Sequence, residues 1–407
     1  MSTGLGGLVR QPLWRRWTLA SLLGRLPLTM TLLALVLVGE RVAGSLAVGA
    51  QLAGVATIAA GIAAPLRGRQ LDSGGIRVGL RNAALLTAAV LGAQAAAVVM
   101  GAPLLVLFGL AAAQGVTSAA LSGGFRALLV SVVDASDLPQ ANTLEAVLIE
   151  IAFVAGPSLA GILALVVGPV GVLLAMAAAS VASALLTATL PPVSPHTKRA
   201  VAPPWRTAGA PAVYLLALAM GAALGLLESA LPARSAELGM AAASAGPLLA
   251  LTAAGSAVGG LLAAVRRDHR RYQARVAVGL LVTMGLLFGA LAATGGRVSL
   301  GVLLFLAGAP IAPLNALGSL RLQDTIPASR LGEGFAVFTA MILVGAGIGQ
   351  SITGQLLEDV GAQVLLAGAA VIPIAAGVVI TAVVLRRRRT SGRRAAQLRR
   401  SPAGTAR

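Results

Sequence analysis

The stretch "PLRGRQLDSGGIR", Pro65 to Arg77, carries three arginines, one aspartate and three glycines between two long runs of Ala, Val and Leu. Charge concentrated in this way reads as a solvated turn joining two helices that sit in hydrocarbon. The rest of the chain agrees. Of its 407 residues 57% are hydrophobic and 11% charged, against about a quarter charged in a soluble domain, and the mean hydropathy is +0.90. A helix needs roughly 20 apolar residues to cross a bilayer, and runs of that length recur from end to end. The short alternating segments of a transmembrane barrel are absent. The sequence predicts an all-α polytopic membrane protein.

Cutting at charged, Pro and Gly clusters predicts twelve spans. They are 17–39, 42–66, 78–100, 103–125, 141–168 and 169–191, then 211–231, 241–265, 275–294, 297–320, 332–357 and 362–385. The first follows Arg10, Arg15 and Arg16 but is too long for a signal peptide, so it reads as retained. With both termini cytoplasmic, 27 of the 31 Lys and Arg residues fall in inner segments, as the basic-loop rule requires. Arg41, Arg234 and Arg297 fall outside, and Arg25 lies within span 1. The domains expected are a six-helix bundle over 1–192, a cytoplasmic linker over 193–210, a second bundle over 211–386 and a basic, disordered tail over 387–407. The linker reading rests on "PPVSPHTKRAVAPPWRTAG", Pro191 to Gly209, in which proline and basic residues stop a helix. Such a tail is expected to attract anionic lipid. Six helices, a linker and six more suggest duplication, and Pro139, Glu145 and Gly161 recur at one offset as Pro327, Glu333 and Gly349. Parallel repeats around a midplane site are one transporter plan.

Composition also excludes. The net charge is +18, but it sits in short loops and the tail, so a nucleic-acid partner is not expected. No cysteine is present, which rules out disulfides and thiolate ligands. The two histidines, His196 and His269, lie in polar connectors, so no metal site is expected. "GAGIGQSITG", Gly345 to Gly354, sits in an apolar span and lacks the Gly-Lys-Ser/Thr ending of a phosphate loop. No cofactor and no enzymatic activity are expected.

The quoted stretch falls between spans 2 and 3, and its spacing resembles the signature loop of the major facilitator superfamily, Gly-x-x-x-Asp-Arg-x-Gly-Arg-Arg. Gly68, Asp72, Gly75 and Arg77 match, while Ser73 and Ile76 replace two basic positions. Gly68 would allow close approach of another backbone, Gly74 and Gly75 permit φ > 0, and Asp72 suits a helix N-terminus. The resemblance implies that Asp72 latches the two halves against the start of span 11, near Ser329 to Glu333. A purely topogenic turn is the other reading. "IAFVAGPSLAG", Ile151 to Gly161, is similar to the family's Gly-x-x-x-Gly-Pro-x-x-Gly-Gly motif, associated with antiporters. Gly156, Pro157 and Gly161 match, and Ala152 and Ala160 replace glycines. Proline bends the helix and small residues allow tight packing, which an ordinary kinked helix would also use. In span 4 the family carries Arg-x-x-Gln-Gly; here Gln114 and Gly115 fit, but Ala111 stands where the proton-linked arginine would be.

Ionisable residues inside spans are functional candidates, because a central charge costs roughly 2.5–3.5 kcal/mol even on insertion scales. Arg25 lies in span 1, Glu150 in span 5 and Glu228 in span 7. If spans 1 and 5 adjoin, as the resemblance implies, Arg25 and Glu150 are placed to pair; unpaired, Glu150 would carry a proton. Glu228 has no cation near it in its own span and is the stronger proton-site candidate, with snorkelling to the surface as the alternative. Gln51, Gln94, Gln114, Asn315 and Gln350 line a cavity or bond between helices.

The resemblance implies a monomeric secondary transporter in a bacterial plasma membrane, moving a small solute by alternating access. The span 5 motif favours proton-coupled efflux. An uptake symporter or facilitator, and a non-transporting scaffold or sensor, are the alternatives. Only 3% of residues are aromatic, with Phe153, Tyr214, Phe305, Phe335 and Phe338 among the few, so a ring-lined drug cavity is not expected.

Overall fold

The computed structural model describes residues 4–134, 136–192, 207, 209–265, 273–327 and 331–400. These residues form an all-helical bundle: α1 (Gly4–Arg10), α2 (Pro12–Ala43), α3 (Leu46–Gly74), α4 (Ile76–Val99), α5 (Leu104–Ser118), α6 (Leu121–Leu128), α7 (Leu138–Ala188), α8 (Ala210–Glu237), α9 (Ala245–Val265), α10 (Gln273–Ala292), α11 (Arg297–Gly308), α12 (Ile311–Thr325) and α13 (Leu331–Arg400). Ten helices among the described residues are long and apolar enough to cross a membrane.

Two of the ten are longer than any single crossing needs. α7 holds 51 residues, and the apolar part of α13, Glu333–Ala382, holds 50; about 20 suffice. Each is broken by one glycine in a left-handed conformation, Gly168 (φ 71°, ψ 175°) and Gly361 (φ 77°, ψ 164°), which a side chain would strain. The chain reverses there. Before Gly168, Gly161 faces Ala243, in the connection into α9, and Gly246 of α9 itself. After it the helix runs back until Leu190 O accepts a hydrogen bond from Arg77 Nη1 at 3.0 Å. The break expected at Gly168-Pro169 is therefore present. Spans 4 and 10 run as the long apolar helices that hydropathy predicts, Leu104–Ser131 and Arg297–Thr325, each with a short turn, at residues 119–120 and 309–310. Beyond residue 386 the helix continues to Arg400 in place of a disordered tail, since Arg, Ala, Leu and Gln all favour helix. Residues 401–407, and nearly all of the 193–210 linker, lie outside the described residues.

The bundle has two dissimilar ends. Arg67, Arg77, Arg81 and Arg126 gather at one, the basic end. Ser45, Glu237, Ala243 and Glu358 lie at the other, where the halves meet. On one seam α3 runs along the first part of α13: Gly61 faces Ala340 and Val344, Gly54 faces Gly347 and Ser351, and Gly354 faces Ala47 and Gln51. On the other, Gly161 and Pro157 of α7 meet Ala243 and Gly246. Among the described residues α5 and α6 have no extended packing against α11 and α12 at the basic end. The halves are joined at the sealed end and diverge toward the basic one.

Packing glycines recur between the two parts of the chain, but in a register other than the one read from Pro139, Glu145 and Gly161. Gly115, Gly156, Gly161 and Gly168 correspond to Gly308, Gly349, Gly354 and Gly361, a constant offset. A Cβ at Gly115 would meet Ala56 O and Ala60 N of α3, and one at Gly308 would meet Thr252 O and Ser256 N of α9. Gly156 faces Thr29 of α2, and Gly349 faces Ala222 of α8. Gly161 crosses to the other half, as does Gly354, whereas Gly349 stays within its own. Pairing Gly161 with Gly349 therefore joins positions on different faces.

Candidate functional site

Arg25 does not pair with Glu150. Its Nη2 donates to Glu145 Oε1 at 2.7 Å, with the side chains 3% and 0% exposed. The reason is helical phase. Glu145, Ala152 and Gly156 are seven and eleven residues apart and share one face of α7, the face that Gly156 turns to Thr29 of α2. Glu150 is five residues from Glu145 and points elsewhere; it is half-buried, with no hydrogen bond or ion pair among the described residues. Arg126 at the basic end, 62% exposed, approaches the same carboxylate, Nε to Oε2 at 3.1 Å. Arg25 Nη1 also donates to Ser21 Oγ, and its guanidinium lies 6.0 Å from the centre of the Phe125 ring. Gly24 makes room for that ring, and Trp17 Nε1 donates to Phe125 O at 3.1 Å. The result is a buried carboxylate between two arginines, tying α2, α6 and α7 together.

Deeper in the same half, Gln114 of α5 is 1% exposed. Its Nε2 donates to Thr31 Oγ1 at 2.8 Å, and its Oε1 has no hydrogen-bond partner. The Thr31 hydroxyl donates in turn to Pro27 O at 2.7 Å. Ala111, where the resemblance expects arginine, is fully buried, so no cation takes part here.

In the other half Glu228 of α8 is half-buried, with no hydrogen bond or ion pair among the described residues. Its neighbour Ser229 bridges to α13, Oγ to Thr353 Oγ1 at 2.7 Å. Asn315 of α12 is half-buried, and its Oδ1 lacks a hydrogen-bond partner, as does Oε1 of Gln350. At the sealed end Glu237 accepts from Arg234 Nη1 at 2.8 Å and from Ala362 N at 3.0 Å. Among the described residues no group of three His, Asp or Glu side chains is arranged to hold a metal.

The quoted loop is only partly described. Gly75 takes φ 89° and Arg77 binds Leu190 O, within its own half. Among the described residues Gly68 approaches nothing: a Cβ there would meet no atom within 4 Å. The Asp72 side chain and residues 328–330 lie outside the described part, so the latch itself is not seen. In span 5, Gly156 seats α2 and Gly161 seats the α9 connection.

The Major Facilitator Superfamily model matches residues 17–319. The chain belongs to that superfamily. Solved superfamily folds resemble it along almost their whole length. The nucleoside transporter NupG, solved as a point mutant, aligns with TM-score 0.75 at 16% identity, covering 91% of this chain and 99% of that one. The human organic anion transporter MFSD10 (TETRAN) aligns with TM-score 0.62 at 16% identity, covering 91% and 100%. No curated protein sequence matches the chain. Membership makes it a multi-pass membrane protein of a transporter superfamily. Sequence reasoning missed Glu145 as a partner of Arg25 in this superfamily member; the signal was the face it shares with Gly156.

Proposed function

We propose that the chain is a secondary active transporter that exports a small solute in exchange for protons. It crosses a bacterial plasma membrane twelve times as a monomer, with both termini and the basic end in the cytoplasm. The observation that carries this reading is the one-sided closure: both seams are packed at the sealed end, while α5 and α6 stand apart from α11 and α12 at the basic end. A solute would enter between the halves from the basic side and leave when the seams part.

Gln114 and Asn315, one from each half and each with an amide oxygen lacking a hydrogen-bond partner, are the proposed solute contacts. Glu228 is the proposed proton carrier, with Glu150 second. The two solved relatives carry a nucleoside and an organic anion by their names, a spread that favours organic solutes in general over one class.

The test is solute flux in proteoliposomes under an imposed pH gradient. Glu228→Gln is expected to abolish gradient-driven flux while exchange of solute for solute persists. Normal gradient-driven flux in both Glu228→Gln and Glu150→Gln would remove these residues from the coupling. Net flux toward the basic end with the proton gradient would make the protein an uptake symporter.

A further inference from the structure

A cleft of about 270 Å³ opens at the basic end of the amino-terminal half, where α3 ends, α4 begins and α5 gives way to α6. Arg67 and Gln70 of α3 and Asn82 of α4 provide its polar wall; Leu71, Leu86 and Ala120 line the rest. These residues belong neither to the buried triad nor to either seam. Arg67 donates through Nη1 to Gln70 Oε1 at 3.1 Å. Its Nε, screened from solvent, has no acceptor. Among the described residues no ion pair engages Arg67; the salt bridges there belong to Arg25, Arg126 and Arg234. A second cation, Arg81, stands just outside that lining and holds Asn82 Oδ1 through Nε and Nη2 at 3.2 and 3.1 Å.

The other border of the cleft is apolar and uncovered. Leu86 is half exposed, as are Leu85 beside it and Leu66 and Ile62 on α3. On a membrane helix such residues face acyl chains. The cleft thus stands where the hydrocarbon surface meets the basic loop, cations on one side and leucines on the other. Its volume falls below the roughly 300–1,000 Å³ of pockets that enclose a drug-sized ligand, so it admits a headgroup and leaves any chains outside on the leucines. Guanidinium groups bind phosphate oxygens in pairs, and basic pockets between helices on the cytoplasmic side suit anionic headgroups.

We propose that this cleft binds the phosphodiester of one anionic phospholipid from the leaflet at the basic end. Arg67 holds the phosphate with Arg81 at the rim, the amide of Asn82 meets a glycerol oxygen, and an acyl chain lies along Leu86. The site is independent of the transported solute and of the coupling ion.

The full chain, stripped of lipid in detergent, is followed by native mass spectrometry and thermal unfolding. Added phosphatidylglycerol is expected to leave one retained lipid per chain and to raise the melting temperature by several degrees more than phosphatidylcholine does. Arg67→Gln and Asn82→Leu are expected to lose the retained lipid and the extra degrees, with melting in phosphatidylcholine unchanged. Arg394→Gln, in the basic tail, should keep both. Equal effects of the two lipids on the unaltered chain overturn the proposal, as does retention of phosphatidylglycerol by both cleft variants. Full stabilisation by inorganic phosphate alone would also overturn it, making the cleft a phosphate site and not a lipid site. Should Arg67→Gln fail to fold, Asn82→Leu decides.

Discussion

The two halves share a skeleton and differ in their chemistry. The offset that carries Gly115, Gly156, Gly161 and Gly168 onto Gly308, Gly349, Gly354 and Gly361 also carries Arg25 onto Leu218, Ser21 onto Tyr214 and Glu145 onto Phe338. Where the first half buries a carboxylate between arginines, the second packs Tyr214, Ala217 and Phe338 into an apolar cluster with Leu322 and Val337. The seams differ in the same manner. Gln51 donates to Gly354 O and Ser45 to Glu358 across the α3–α13 seam. Gly354 faces Ala47 and Gln51 where Gly161 faces Ala243 and Pro247. The counterparts of Gln51 and Ser45 on the other seam are thus Pro247 and Ala241, and Leu165 stands for Glu358. Backbone contacts at glycine tolerate no side chain, so they persist in both copies. The polar groups are free to diverge, and each half has used that freedom separately.

The contrast between the halves can be broken first where the effect is largest. Glu145→Ala leaves Arg25 buried without its carboxylate, and losing one partner of a buried pair costs about 3–5 kcal/mol. A strongly lowered melting temperature in detergent is expected, alongside a smaller loss for Phe338→Leu. The double change Arg25→Leu with Glu145→Phe, which copies the second half, should recover most of the loss. If it recovers none, the two seats are not equivalent. Next come Gly115→Ala and Gly308→Ala. Each methyl would press on a neighbouring backbone carbonyl, and overpacking costs about 1–3 kcal/mol. Similar losses support the repeat register; a large cost in one alone breaks it.

A smaller effect is expected at the seams. Glu358→Ala removes a bond to Ser45, and single cysteines placed at the sealed end of this cysteine-free chain should become more accessible to a thiol reagent. Leu165→Ala, its counterpart, should change nothing. The smallest effect belongs to Asp72→Asn. Among the described residues nothing packs against Gly68, so accessibility at the basic end should rise only slightly. A large shift there would mean that the closed-end state governs the resting population.

How far the sequence reveals this molecule follows from the kind of signal each residue sends. Hydropathy and charge clusters locate the membrane helices, since an apolar run and an arginine turn are both local. Gly168-Pro169 is legible as a break for the same reason. Pairing across helices is less so. Arg25 and Glu150 invite a match because both are ionisable and deep, whereas the partner is fixed by helical phase, and Glu145 shares its face with Gly156. The repeat register is hard to read for a related cause. With 50 glycines in 407 residues, several offsets give chance matches, and only the face each glycine presents separates them. The cleft at Arg67 assembles residues from three helices, and nothing in their spacing announces it.

The left-handed breaks at Gly168 and Gly361 have a mechanical meaning. One residue joins the helices on either side, so each pair of helices has no slack. Neither member can tilt without dragging the other, and any motion delivered to the glycine face of α7 or α13 is passed whole to the outer helix behind it. The protein has in effect two stiff levers, one per half, with fulcrums at the same end of the membrane.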